Sequence, residues 1–205
     1  TSQEASTFRL IWKMGNSCRD ATLSQTRNRL TQLQGRLAIG PDGRMIPQEW
    51  MRDPATVRLM DVLTDGDHRA WFVGGCVRDS LLRRQISDID IAVTETPADV
   101  MKRLQSAGVH VIPTGLKHGT VTAVIDDVSF EVTTLRRDVA TDGRHAEVAF
   151  TDDWATDAAR RDFTINALYM DQELVLYDAF DGLEDLADGR VRFVGSAQQR
   201  IAEDY

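Results

Sequence analysis

The 205-residue sequence predicts an α/β fold of the α+β type, and three observations support this prediction. From residue 71 to residue 93, an apolar strand stops at two glycines, a short helix follows, and a second strand alternates carboxylates with aliphatic residues. Two apolar runs separated by Asp126-Asp127 indicate an antiparallel hairpin. Amphipathic segments with capping residues indicate one helix before and one helix after these two strands along the chain.

The remaining elements follow from local signals along the chain. The first helix is predicted over residues 54–63 behind the cap Asp53. Four residues form its apolar side: Val57, Leu59, Met60 and Leu63. Another helix opens at Thr96-Pro97 and stops at Gly108, and a later one spans Ala155 to Leu168. The other predicted elements are strands at 109–112, 121–125, 129–135, 174–177 and 191–194, and a final helix from residue 198.

Composition limits the classes of protein to consider. The formal net charge of −8 is unexpected for a protein that binds polyanions, so any basic surface is local or lies outside this sequence. The cysteines, Cys18 and Cys76, have no metal-type spacing and indicate a reducing compartment. No apolar run is long enough for a membrane span and no signal peptide is readable. We therefore expect no membrane partner, and a location in the cytoplasm or in an organelle matrix.

Paired carboxylates follow the glycine turn. Because strand side chains alternate, Asp88 and Asp90 project together while Ile89 points into the core. Like charges on one face repel unless a cation compensates them, and paired carboxylates can hold two Mg²⁺ ions about 4 Å apart. Glu131 joins them if the predicted hairpin lies beside this strand. Taken alone, each is more simply a solvated side chain, but beside the glycine turn they predict a metal site for nucleotidyl transfer.

The glycine turn itself predicts a phosphate-binding element. Gly74 and Gly75 let a phosphate chain approach the backbone, and the N–H groups that start the next helix face that anion. Arg78 lies one helical turn further on, where its forked guanidinium can pair with phosphate. A plain turn is the alternative for the glycines alone.

A second group of polar residues lies on the predicted helix over 155–168. Asp162 and Asn166 are four residues apart, hence on one side, and Arg161 is adjacent. Arginine matches phosphate and the two short polar side chains match hydroxyls, so this group can hold a triphosphate and a ribose. An ion-paired helix surface is the alternative.

The segment 138–148 is polar and rich in turn residues. It contains Gly143, Arg144 and His145, and it is predicted to be a mobile basic loop that closes over a nucleotide. A solvated connection explains the same composition equally well.

Six motifs in order along the chain resemble class II tRNA nucleotidyltransferases. They are GGCVRD at 74–79, DID at 88–90, GLKHGTVT at 115–122, EVTTLRRD at 131–138, DGRHAEV at 142–148 and RRDFTINAL at 160–168. The terminal RIAEDY looks like the start of that family's EDxxRxxR motif. Each motif alone is weak, but the combination is specific. The resemblance covers about residues 71–205 and leaves the first 46 residues unexplained.

This resemblance implies a polymerase-β-like nucleotidyltransferase head with a mostly antiparallel sheet and flanking helices, followed by the start of a helical neck. Because Ser, Thr, Gln, Asn and Arg dominate residues 17–34, we expect an N-terminal extension of unknown role at residues 1–46, peripheral to the rest. The head (catalytic) domain is expected at 47–196, and the truncated beginning of the neck at 197–205.

The resemblance also implies roles for the candidate residues. Asp88 and Asp90 would hold Mg²⁺, with Glu131 in the place of an accessory carboxylate. The further assignments are Gly75 and Arg78 to the triphosphate, Arg161, Asp162 and Asn166 to phosphate and ribose, and Asp204 to the motif that reads the incoming base.

The activity implied is template-independent addition of CMP and AMP, from CTP and ATP, to the 3′ end of tRNA. A poly(A) polymerase, or a partial A-adding or CC-adding enzyme, shares the same head motifs and is the nearest alternative. The DGRHAEV stretch argues against a CC-only enzyme, because that subclass is similar but lacks this loop. A non-catalytic nucleotide-binding module is a second alternative, against which the intact carboxylates and Arg161 argue. A dinucleotide-binding fold fails because its third glycine is missing.

Overall fold

The computed structural model describes residues 13–14, 31–141 and 146–203. Its strands are β1 (Lys13–Met14), β2 (Ala70–Val73), β3 (Ile89–Val93), β4 (His110–Gly115), β5 (Thr120–Ile125), β6 (Val128–Thr134), β7 (Arg136–Thr141), β8 (Ala146–Phe150), β9 (Leu168–Met170) and β10 (Leu176–Asp178). Its α-helices are α1 (Pro54–Thr64), α2 (Gly75–Leu81), α3 (Pro97–Ser106), α4 (Trp154–Ala159), α5 (Gly182–Ala187) and α6 (Ala197–Glu203). Short 3₁₀ helices lie at Glu49–Arg52, Leu116–His118 and Thr164–Asn166.

A single large sheet organises the described part of the chain. Its strand order is β1-β10-β9-β2-β3-β6-β5-β4, and β7 pairs with β8 in a separate hairpin. Neighbours in the large sheet are antiparallel except for the pairs β1–β10 and β3–β6, which are parallel. The predicted α/β architecture, with a mostly antiparallel sheet and flanking helices, is confirmed.

The two faces of this sheet are covered to different extents. Helices α1, α2, α3 and α5 bury one face, including side chains from β2 to β6, β9 and β10. On the other face, a second buried cluster joins Trp71, Ala92 and Tyr169 to Ala158 of α4. Among the described residues, this second cluster contains none from β4, β5 or β6. Asp90 lies on β3, at the boundary between the covered and the uncovered half of this face.

Helices α1 and α3 begin as their capping residues predict. The Asp53 carboxylate accepts a hydrogen bond from the Ala55 amide at 2.9 Å, and the Thr96 hydroxyl accepts one from the Asp99 amide at 3.4 Å. The apolar side predicted for α1 is wrong at Val57, which is 40% exposed. Position 57 faces solvent because Ala55 and Thr56 fill the buried side of the first turn instead.

Part of the expected N-terminal extension belongs to the core. Leu33, Leu37, Ile39 and Met45 are each at most 3% exposed and pack in the large cluster with α1 and the sheet. Backbone hydrogen bonds join residue 38 to residue 81 and residue 45 to residue 174. The expectation of a peripheral segment is wrong for residues 33–45, because its apolar side chains find buried positions there. A boundary at residue 46 therefore does not coincide with a change in packing.

The helix predicted over 155–168 is also wrong, because α4 ends at Ala159 and a 3₁₀ turn follows at Thr164–Asn166. Two tertiary contacts hold this turn. The Thr164 hydroxyl donates to the buried Asp185 carboxylate at 2.7 Å, and Phe163 forms an isolated bridge with Phe193. That bridge replaces the strand predicted at 191–194. Contacts distant in sequence override the local helical pattern here.

The loop predicted over 138–148 is a hairpin at both ends. Residues 136–141 form β7 and residues 146–150 form β8, which pair antiparallel. The prediction of an irregular loop is wrong there, since ladder hydrogen bonds satisfy the backbone of these polar residues. Gly143, Arg144 and His145 lie outside the described residues.

Candidate active site

Two carboxylates meet where β3 and β6 run side by side. Asp90 and Glu131 are direct partners in this parallel pair, so their side chains leave the same face of the sheet. Asp88 immediately precedes β3 and is exposed, as is Glu131, whereas Asp90 is half-buried. Ile89 and Ile91 are buried on the opposite face, as the alternation predicts.

The electrostatics around Asp90 favour an added cation. Burial raises the pKa of Asp90 above its ordinary value, the negative charges of Glu131 and Asp88 raise it further, and the nearby Arg161 lowers it. The ionised carboxylate is therefore held in an unfavourable environment. A divalent cation would relieve both the repulsion and the loss of hydration.

The donor set fits a divalent cation that takes its remaining ligands from water or a substrate. Among the residues that the structure describes, no group of three or more His, Cys, Asp or Glu is arranged to hold a metal ion on its own. Mg²⁺, however, is usually bound by one or two carboxylates together with water and substrate phosphates. Asp90 with its carboxylate neighbours supplies what the protein contributes to such a site.

A glycine with positive φ connects β2 to α2 beside these carboxylates. Gly74 has φ 74° and ψ −126°, a conformation that L side chains rarely adopt. A Cβ atom at this position would lie 3.5 Å from Nη1 of Arg161 and 3.7 Å from the Asn166 carbonyl oxygen. The turn therefore brings backbone, arginine and asparagine close together.

Arg78 is oriented by two side chains. Its Nε and Nη2 donate to the two oxygens of Asp79 at 2.9 and 2.8 Å, and its Nη1 donates to Oδ1 of Asn166 at 2.6 Å. Asn166 in turn donates to Oδ1 of Asp162 at 3.1 Å. The structure thus brings the predicted pair 162 and 166 together across a turn, although the helix on which the prediction rested does not extend that far.

Arg161 is held by a partner that sequence analysis missed. Its Nε donates to the Tyr169 hydroxyl at 3.0 Å, and its Nη2 lies 3.3 Å from Oδ2 of Asp157. The Asp157 residue is only 1% exposed. A signal for this contact was present, because positions 157 and 161 are four residues apart and would share one side of the helix predicted over 155–168.

The structure thus groups most of the predicted site residues. Five of them surround the glycine turn and the β3–β6 boundary: Gly74, Arg78, Asp90, Arg161 and Asn166. Glu131 lies beside Asp90, and Asp162 is joined through Asn166. Gly75 is the first residue of α2. Asp204, like the three loop residues at 143–145, lies outside the described residues.

Nucleotidyltransferase head domains are the class that combines such a sheet with carboxylates beside a glycine turn. Residues 70–192 match the family model described as "Poly A polymerase head domain". The chain belongs to this family. Nucleotidyltransferases of this kind generally depend on a metal ion.

Named relatives and solved structures agree with this assignment. The chain is 50% identical over 148 residues to the human mitochondrial CCA tRNA nucleotidyltransferase 1. The matched region covers 72% of this chain and 34% of the human protein. A Bacillus stearothermophilus CCA-adding enzyme in complex with CTP matches with a TM-score of 0.68 and 36% identity, over 77% of this chain and 37% of that one. A tRNA nucleotidyltransferase complexed with a primer tRNA and an incoming ATP analog matches with a TM-score of 0.54 and 31% identity, over 67% and 39%. The chain thus spans about a third of the length of the curated relatives it matches.

Among the described residues, no helix has both the length and the apolar character required to cross a bilayer.

Proposed function

We propose that this chain is the catalytic head of a CCA-adding enzyme, which transfers CMP and AMP from CTP and ATP to the 3′ hydroxyl of tRNA. The observation that carries the proposal is the Asp90–Glu131 pair facing Arg161 beside the Gly74 turn. The names of the relatives support it, as do the related structures described with CTP, and with primer tRNA and an ATP analog.

In this proposal, Asp88 and Asp90 hold Mg²⁺ and Glu131 is an accessory carboxylate. The metal, when bound, would lower the pKa of the attacking hydroxyl and stabilise charge on the leaving phosphate oxygen. The carboxylates orient the acceptor end against the α-phosphate and neutralise the cation's charge. The position of Asp90 on β3 makes this orientation rigid, because β3 is paired on both sides, with Glu131 on the neighbouring β6.

The triphosphate lies, in this proposal, on the covered side of the carboxylates. Gly74 and Gly75 let phosphate approach the backbone, and Arg161 supplies a guanidinium directed toward them. Arg78 completes the phosphate contacts. Its pairing with Asp79 raises its pKa, so it stays charged. Asp162 and Asn166 provide the acceptors and donors for a ribose.

Selection of the base is assigned to residues outside the described parts. Asp204 belongs to the proposed base-reading motif, and Gly143, Arg144 and His145 to a loop that changes the pocket between C and A addition. Residues 197–205 are the proposed start of a helical neck. The protein is expected in the cytoplasm or in an organelle matrix, and the human relative is described as mitochondrial.

The test is incubation of the full-length protein with tRNA lacking its 3′ end and each labelled nucleotide in turn, followed by sequencing of the products. Sequential addition of two C and one A supports the proposal. Addition of A alone, or of a long A tract, instead identifies a partial enzyme or a poly(A) polymerase, which the name of the matching family keeps as the second candidate. Nucleotide binding without transfer to any RNA identifies a non-catalytic module.

A further inference from the structure

Asp157 is a buried carboxylate to which the proposed mechanism has given no role. It lies in α4, is 1% exposed, and uses both oxygens. Its Oδ1 accepts from the Arg136 amide at 2.9 Å and from Nε of Arg160 at 2.9 Å. Its Oδ2 accepts from the Tyr169 hydroxyl and from Nη2 of Arg161 at 3.3 Å. These partners come from three segments: Arg136 from β7, Arg160 and Arg161 from the turn after α4, and Tyr169 from β9.

The contacts at Oδ2 form a closed group of three side chains. The Tyr169 hydroxyl donates to Asp157. Arg161 donates to Tyr169 through Nε and to Asp157 through Nη2. The guanidinium carbon of Arg161 also lies 5.2 Å from the centre of the Tyr169 ring. With two of its nitrogens held in this way, Arg161 presents the third, Nη1, toward Gly74.

We infer that Asp157, together with Tyr169, is a positioning residue that holds the Arg161 guanidinium against the triphosphate of the incoming nucleotide. This inference rests on the proposed phosphate-binding role of Arg161. A guanidinium binds phosphate well only when its planar fork has the correct orientation, so the residues behind it determine how much of the contact is realised.

The carboxylate is suited to this role because it remains ionised. Burial opposes the charge, but Arg160 and Arg161 outweigh it, and the pKa of Asp157 lies below its ordinary value. The bonds at Oδ1 fix the carboxylate itself by joining it to the first residue of β7. Asp157 therefore connects the base of the β7–β8 hairpin to the arginine of the site.

The experiment compares nucleotide binding and transfer by Asp157→Asn and Tyr169→Phe in the full-length protein. Asp157→Asn keeps the shape of the side chain but removes its charge. We expect the Kd for CTP and for ATP, measured without tRNA, to rise about tenfold or more. Losing a hydrogen bond to a charged group typically has an effect of this size. KM should rise in parallel for both nucleotides and kcat should fall less. Tyr169→Phe should raise both Kd values about threefold.

Tyr177→Phe is the matched control. Tyr177 lies in the same buried cluster and donates to another carboxylate, that of Asp171, at 2.9 Å. Thermal unfolding of all variants gives the folded fraction. A merely structural role predicts that activity falls with the folded fraction in all three variants while Kd and KM stay at the wild-type values, and this result would overturn the inference.

The outcomes also separate this inference from the proposed function. If the wild-type protein binds CTP and ATP but extends no tRNA, the proposed function fails, and the Kd comparison still decides the role of Asp157. If it binds neither nucleotide, both fail. If Asp157→Asn does not fold, unchanged Kd values in Tyr169→Phe refute the inference, and raised values support it.

Discussion

The electrostatic environment of Asp90 is unfavourable for its ionised form without a cation. Its pKa is raised by burial and by two neighbouring carboxylates. Replacing Asp90 by Ala should reduce nucleotide transfer at least about a hundredfold, because a metal ligand is removed from the reacting centre. Folding should survive, as measured by thermal unfolding. Near-normal transfer by this variant would contradict the metal assignment.

The same residue predicts a pH-dependent stability in the absence of metal. A carboxyl whose pKa is higher in the folded than in the unfolded chain does not lower the free energy of unfolding at pH values below its pKa in the unfolded chain. The free energy of unfolding falls as the pH rises from there through the raised pKa of the folded chain. Asp90→Asn should therefore stabilise the protein at pH 7 in EDTA, and much less at about pH 4, near the ordinary pKa of Asp. Urea unfolding at the two pH values measures the difference, and an equal effect at both would contradict the raised pKa.

Arg161 tests the phosphate side of the site. Arg161→Lys retains the positive charge but loses the planar fork and the bonds to Tyr169 and Asp157. KM should rise about tenfold for CTP and for ATP alike, because a triphosphate contact does not distinguish bases. Steady-state kinetics with each nucleotide provides the measurement. An effect confined to one nucleotide would instead place Arg161 at the base.

At the scale of elements, the turn after α4 explains why one prediction succeeded for the wrong reason. The spacing of Asp162 and Asn166 suggested one side of a helix, whereas a 3₁₀ turn brings them within hydrogen-bonding distance. The contacts that bend the chain come from residues 185 and 193, more than twenty positions away. No local pattern contains that information.

The β7–β8 hairpin is the element with the most specific functional prediction. Residues 142–145, which follow β7 and precede β8 in the sequence, are proposed to belong to a loop that changes the pocket from cytosine to adenine as the tRNA end grows. Deleting residues from 142–145 in the full-length protein should spare both C additions and remove the A, because only the last step requires the changed pocket. Products resolved to one nucleotide on a gel give the answer, and equal loss of C and A would contradict the idea.

At the scale of the whole molecule, the sheet and its core are continuous with residues that composition had set apart. Leu37 is fully buried beside α1 and the sheet. Leu37→Ala should lower the free energy of unfolding by about 2–5 kcal/mol, as expected for a large-to-small change in a core. Urea denaturation measures this, with Arg36→Ala as an exposed neighbouring control. A change below about 0.5 kcal/mol, typical of surface positions, would show that the segment is peripheral after all.

How much of this molecule can be predicted depends on the range of each signal. The shared face of Asp88 and Asp90 follows from the two-residue period of a strand, which is local. The meeting of Asp90 with Glu131 requires the parallel pairing of β3 and β6, which sequence analysis could state only as a condition. Asp157 was missed because its burial depends on Tyr169 and the hairpin, and a buried aspartate looks like an exposed one in a sequence.

The boundary at Asp90 between the covered and the uncovered half of the sheet face affects how ligands enter and leave the site. On one side of Asp90, α4 and its aromatic neighbours cover this face of the sheet. On the other side lie Thr122, Ser129 and Glu131, and among the described residues no buried cluster covers them. Under the proposed function, the triphosphate and the tRNA end would therefore approach the same carboxylates from different sides. In the proposed reaction, the nucleoside monophosphate joins the 3′ end and pyrophosphate is the leaving group, so pyrophosphate would depart on the covered side while the growing end keeps its place on the uncovered side.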